Sequence, residues 1–113
     1  MLATTKRHLA LAELGNVLTI RGEVDYADAE RLLRRLRRLR GRHRAVVVDL
    51  SEVTYMDSAG FGALLRVCRE LRHSGGELIL RRPSPHVRRM LEITDTLRFF
   101  GLQEEEPAAA SEA

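Results

Sequence analysis

Apolar positions along this chain follow two periods, and the alternation between them predicts the order of elements. Residues 7–12 and 16–22 form two short apolar stretches around Gly15-Asn16, the composition of a tight turn. In the second, Leu18 and Ile20 alternate with Thr19 and Arg21, the period of a half-buried strand, and Gly22 interrupts the pattern. From Ala27 to Arg40 the spacing changes to that of a helix, with Ala29, Leu32, Leu33, Leu36 and Leu39 on one stripe. Asp25 is placed to cap that helix, with Asp28 three residues on in place of the usual Glu or Gln. Ala45 to Leu50 reads as a central strand. Its three consecutive valines predict burial on both faces, as in a sheet covered by helices.

The remaining apolar residues continue the alternation. Phe61, Leu64, Leu65, Cys68 and Leu71 predict a helix that starts near Ser58 and runs to about His73, where Ser74-Gly75-Gly76 supplies a glycine stop. Glu77 to Arg81 reads as the next strand. Ser84, with Pro85 in the first helical position, then starts a helix with Val87, Met90, Leu91 and Thr94 on one face. Leu97, Phe99, Phe100 and Leu102 close the core as a short helix or a last strand, and from Gln103 onward an acidic, alanine-rich tail is expected to fray. The order ββαβαβα, with helix-length connections between the later strands, implies parallel pairing in an α/β domain.

Composition narrows the function classes. A chain of 113 residues that is 44% hydrophobic can bury one modest core. A net charge of +3 does not by itself imply a nucleic-acid partner. Eight arginines lie between Arg31 and Arg44, on the helix from Ala27 to Arg40 and just after it, which admits a nucleic-acid or anionic-surface reading. The solvated-face reading is preferred, because no aromatics interleave the arginines and the chain has no tryptophan. The single cysteine, Cys68, lies on an apolar helix face and reads as a small buried hydrophobe. Four histidines at 8, 43, 73 and 86 show no metal-ligand spacing, and no cofactor or metal is expected. No apolar run approaches the ~20 residues that span a bilayer, and no signal-peptide core is present. The expectation is a cytoplasmic protein without membrane insertion.

The candidate chemistry is concentrated at Asp57-Ser58-Ala59-Gly60-Phe61-Gly62, where a loop becomes a helix. A nucleophilic serine would need a base and an oxyanion hole, but no histidine is marked out as its partner and Gly-x-Ser-x-Gly is absent. Asp49 and Asp57 are conceivable as paired carboxylates, although Asp49 could equally cap a neighbouring loop. The plainest role for Ser58 is a helix N-cap. Two features point past it. Gly60 and Gly62 each cost a helix interior about 1 kcal/mol relative to alanine, which suggests that something approaches the backbone closely. A phosphoryl group on Ser58 would add roughly −1.5 to −2 charge at the positive end of a helix. The fold would tolerate it, whereas a partner docked there would not.

At these residues the chain resembles a known family. Asp49-Leu50-Ser51 followed by Tyr55-Met56-Asp57-Ser58-Ala59-Gly60-Phe61-Gly62 is similar to the signature of STAS domains, in particular the bacterial anti-sigma factor antagonists. Gly22-Glu23-Val24-Asp25, Gly75-Gly76-Glu77-Leu78, Pro83-Ser84-Pro85-His86-Val87 and Leu91-Glu92-Ile93-Thr94 extend the resemblance over about residues 7–102. It implies a single STAS-like domain over 1–102, a mixed β-sheet of four to five strands covered by about four helices, and a tail over 103–113.

The resemblance also implies a binding switch and not an enzyme. An unphosphorylated antagonist binds an anti-sigma factor that is a serine kinase, and so frees the sigma factor. Phosphorylation of Ser58 ends the binding, and a phosphatase resets it. Asp25, Asp57, Ser58, Gly60 and Gly62 would form the partner-binding surface. The sequence departs from the family pattern at Ala59, where a second serine is common, at Phe61, where a smaller aliphatic is common, and at Asp95, where glycine is common. Asp tolerates the left-handed conformation that such a turn needs. The same fold also serves as a subunit of larger assemblies, such as a stress-sensing complex or a lipid-transport system. Direct nucleic-acid binding through the arginine-rich helix, residues 27–44, is the less favoured alternative.

Overall fold

The computed structural model describes residues 9–104. β1 (Ala10–Leu14) and β2 (Val17–Val24) form an antiparallel hairpin, turning at Gly15, whose φ of 61° is left-handed. Residues 7 and 8 of the expected first strand lie outside the described residues. β2 does not stop at Gly22. That glycine, at φ 94°, sits beside an irregularity in the pairing register, and the strand continues to Val24. A glycine that breaks an alternating pattern thus marks a bulge inside the strand.

β3 (Ala45–Met56) and β4 (Glu77–Arg81) follow β2 in parallel, and β5 (Gly101–Gln103) pairs parallel to β4, so the order across the sheet is β1-β2-β3-β4-β5. β3 runs six residues past Leu50, where the apolar pattern ends. Beyond Asp49 it has lost β4 and pairs only with β2. Ser51, Glu52, Thr54 and Tyr55 are therefore exposed, and the hydrophobic pattern that would announce a strand is gone.

Among the described residues, three α-helices complete the domain: α1 (Tyr26–Arg40), α2 (Ser58–His73) and α3 (Pro85–Thr94). About four helices were expected, with a short helix or a last strand near the C-terminus. Leu97–Phe99 makes one 3-10 turn before the chain extends into β5, so the apolar segment supplies both a short helix and the last strand. Gln103, assigned by composition to the tail, is the final residue of β5.

Local chemistry sets the helix ends. The Asp25 carboxylate accepts from Ala27 N–H at 3.0 Å, and the Asp28 carboxylate accepts from Asp25 N–H at 3.2 Å, a capping box built from two aspartates. α2 ends with Gly75 N–H donating to Arg72 O and Gly76 N–H to Leu71 O, a Schellman closure with Gly75 left-handed at φ 84°. α3 ends on Asp95 at φ 56°, the left-handed turn that aspartate tolerates.

Alternation along the strands sends Val46, Val48 and Leu50 of β3, with Leu18, Ile20, Leu78 and Leu80, into one hydrophobic cluster. Leu32, Leu36 and Leu39 of α1, Leu64, Val67, Cys68 and Leu71 of α2, and Val87 and Leu91 of α3 meet them there. Val47 is buried as well, on the opposite face and outside that cluster. Asp49, on the same side as Val47, accepts from the Ser51 N–H at 3.0 Å, the Ser51 hydroxyl at 2.8 Å and Arg82 at 2.8 Å. This carboxylate therefore ties β3 to the segment after β4.

Four of the eight arginines between 31 and 44 are held by two glutamates. Arg35 and Arg38 reach Glu13 on β1, and Arg37 and Arg40 reach Glu70 on α2. Hydrogen bonds from these guanidiniums hold both carboxyls below the usual carboxylate range. Much of the arginine-rich face is thus spent clamping α1 to its neighbours.

Candidate functional site

β2 and β3 end together, with Val24 in register with Met56 and Asp57 N–H donating to Val24 O at 3.0 Å. Each strand is followed by one aspartate and then a helix. Asp25 caps α1 and Asp57 caps α2, so two helix N-termini open side by side at the same edge of the sheet. Parallel pairing produces this arrangement, because in-register strands must hand over to their helices at the same edge.

Ser58 is not the N-cap. Asp57 is: its Oδ1 accepts from Gly60 N–H at 2.9 Å, while its carbonyl accepts from Phe61 N–H at 3.0 Å. Ser58 takes the first helical position, is exposed, and its hydroxyl makes no hydrogen bond among the described residues. Serine and aspartate are both strong caps, so the sequence alone does not choose between adjacent candidates. Here the choice leaves the hydroxyl free.

The two glycines of the motif have different causes. A Cβ at Gly60 would lie 2.7 Å from Val24 Cγ1 and 3.2 Å from Met56 Cγ, so glycine is needed there to let α2 sit on the strand ends. A Cβ at Gly62 would meet nothing within 4 Å. Gly60 is buried and serves internal packing, whereas Gly62 opens toward the outside. It lines a groove of about 380 Å³ between α1 and α2, with Ala29, Ala59 and Ala63 along it, Glu30 on one wall, and Arg66 and Arg69 farther along.

Sequence reasoning missed the tyrosines. The chain has two, and both flank this site. Tyr26, just after Asp25, is 77% exposed; Tyr55, two residues before Asp57, is 44% exposed. Tyr55 stacks obliquely on His86 of α3 with ring centroids 5.2 Å apart, and His86 Nε2 contacts Met56 O at 2.9 Å. Their signal was available: an aromatic within two residues of each capping aspartate, in a chain with few aromatics. Large exposed aromatics around a small bare centre have the composition of a protein interface.

Asp49 and Asp57 are not paired carboxylates. They lie eight residues apart, with Asp49 inside the continuous strand β3 and Asp57 just past its end, roughly 25 Å along the chain. Asp49 is engaged with Ser51 and Arg82. Burial pushes its carboxyl up, but the hydrogen bonds from the Ser51 backbone, the Arg82 guanidinium and the Ser51 hydroxyl outweigh it and hold the group low. No described histidine or carboxylate hydrogen-bonds Ser58, and no described cluster of three or more His, Cys, Asp or Glu is placed to hold a metal. No described helix is long and apolar enough to cross a membrane.

Residues 8–109 match the STAS domain profile. The chain belongs to the STAS domain family. This STAS domain is 36% identical over 96 residues to BtrV of Bordetella bronchiseptica, an anti-sigma factor antagonist by name, covering 84% of this chain and 83% of that protein. Its fold is similar to an anti-sigma factor antagonist from Mycobacterium paratuberculosis, with a TM-score of 0.73 at 22% identity over 94% of this chain and 92% of the other. It is also similar to the Bacillus cell fate determinant SpoIIAA in its phosphorylated form. There the TM-score is 0.66 at 25% identity, over 91% of this chain and 97% of that one.

Proposed function

We propose that this STAS domain is an anti-sigma factor antagonist switched by phosphorylation of Ser58. The observation that carries the reading is the exposed Ser58 hydroxyl, uncommitted at the first position of α2 because Asp57 does the capping. The unphosphorylated protein binds an anti-sigma factor with serine kinase activity and releases the sigma factor. Asp25, Asp57, Ser58 and Gly62 belong to the docking surface, with Tyr26 and Tyr55 as its aromatic rim and Gly60 as the packing beneath it. Phosphate on Ser58 places about −1.5 to −2 charge at a helix N-terminus, which the fold accepts. A partner seated over Gly62 meets a hydrated anion beside the Asp57 carboxylate and is released. A phosphatase restores the binding form. The names of the relatives support this reading, as does a structural relative solved with its phosphate in place.

The test is a pull-down from source cells with wild-type and Ser58→Glu baits, read by mass spectrometry. A serine kinase enriched on wild-type and lost on Ser58→Glu is the expected result. Identical partners on both baits would overturn the switch and favour a fixed subunit role in a larger assembly. Ser58→Ala should hold the kinase even with ATP present.

A further inference from the structure

We propose that His86 is a positioning residue for Ser58, acting through the peptide unit that carries Asp57. β3 loses β4 beyond Asp49, so along the outer half of β3 no described strand lies on that side. The start of α3 takes over there. Ser84 N–H donates to Leu50 O at 3.1 Å, and farther out His86 Nε2 lies 2.9 Å from Met56 O. A backbone carbonyl only accepts, so the proton of this hydrogen bond sits on Nε2.

The Met56 carbonyl and the Asp57 N–H belong to one peptide unit. Its N–H donates to Val24 O of β2 at 3.0 Å, and its carbonyl, pointing the opposite way, accepts from His86. β2 therefore grips this unit from one side and α3 from the other. Rotation of the plane would swing Asp57, which caps α2, and with it Ser58 one residue on.

His86 is itself held. It is the second residue of α3, whose Val87 and Leu91 are buried in the core. The Tyr55 ring lies against the imidazole, with centroids 5.2 Å apart and planes inclined at 44°. A side chain on a packed helix fixes its contacts more closely than one on a loop. Satisfying the carbonyl does not by itself require the contact, because it is only part-buried and water would serve there. Water, however, does not tie the end of a strand to a helix. Such a tie matters to a group-transfer site, since a misplacement of about 1 Å costs on the order of 100-fold in rate.

The first measurement is long-range proton–nitrogen NMR of the neutral His86 imidazole in the full wild-type chain. A proton on Nε2 is expected; a proton on Nδ1 removes the donor and overturns the proposal. Three variants then separate the two contacts. His86→Gln keeps an N–H donor of similar reach without a ring, His86→Phe keeps a ring without a donor, and His86→Ala keeps neither. Hydrogen exchange at the Asp57 amide should quicken about fivefold or more in His86→Phe and His86→Ala and stay within about twofold of wild type in His86→Gln.

The kinetic expectation rests on Ser58 being the phosphoryl acceptor. With the serine kinase captured on the wild-type bait, kcat should fall about tenfold in His86→Phe, with KM within about twofold, and His86→Gln should restore it. Equal losses in all three variants, following their urea midpoints, would make His86 a stabilising contact and nothing more, and would overturn the proposal. Wild-type protein left unphosphorylated at Ser58 would sink the switch reading instead, and the proton position and the Asp57 exchange rates would then decide the role of His86.

Discussion

Replacing Gly62 by alanine should separate the stability of this domain from its binding. Gly62 is the fifth residue of α2, inside the helix, where glycine costs about 0.8–1.0 kcal/mol relative to alanine. The added methyl would meet nothing within 4 Å, so no internal clash offsets the gain. Gly62→Ala should therefore stabilise the fold by about 0.5–1 kcal/mol, which for a domain of this size raises Tm by roughly 2–8 °C. The same methyl projects into the groove beside Ser58, where it should weaken kinase binding. Gly60→Ala is the internal control. Its methyl would lie 2.7 Å from Val24 Cγ1 in a buried site, and overpacking of this kind costs about 1–3 kcal/mol, more than the helix gains. Urea melts and calorimetric titration against the partner kinase measure both effects. If Gly62→Ala destabilises the domain, the groove is not open as described. If it stabilises the domain and leaves kinase affinity unchanged, the glycine does not mark the docking surface.

The other predictions concern capping, pH and the end of α3. Asp57→Ala removes the α2 cap and should cost about 1 kcal/mol in a urea melt, whereas Ser58→Ala should stay within about 0.5 kcal/mol of wild type; equal losses would make Ser58 the cap after all. Asp49→Asn should cost about 1–3 kcal/mol at neutral pH, because it weakens a buried acceptor shared by Ser51 and Arg82. The Asp49 carboxyl is held low in the fold, so its contribution is complete above the unfolded value of about 3.9 and is lost as pH falls through the folded value. The deficit of Asp49→Asn should be constant from pH 5 to 8 and close below about pH 4; a deficit independent of pH would refute the assignment. Asp95→Gly should raise stability by up to about 1 kcal/mol by relieving a left-handed φ of 56°, since the Arg98 pair it removes is exposed and worth little.

The sequence by itself determined the alternation of strands and helices, the parallel pairing and the position of the motif. These follow from local periods and caps: two aspartates of the first helix satisfying each other, a glycine pair closing α2, and Ser84-Pro85 opening α3. Where burial was one-sided or absent the pattern fell silent. The outer half of β3 pairs with β2 alone and carries exposed polar residues, so it read as a loop. Its length decides the site, since it brings Asp57 level with Asp25 at one edge of the sheet.

Only the tertiary structure could assign the cap to Asp57 and leave Ser58 free, because both residues have the chemistry to cap and the choice depends on where the strand ends. It also divided the two glycines. Gly60 answers to Val24, a residue 36 positions earlier in the chain, while Gly62 answers to nothing inside the domain. Spacing along a chain shows which residues are near a helix end. What a missing side chain makes room for is set by residues distant in sequence, and only their packing reveals it.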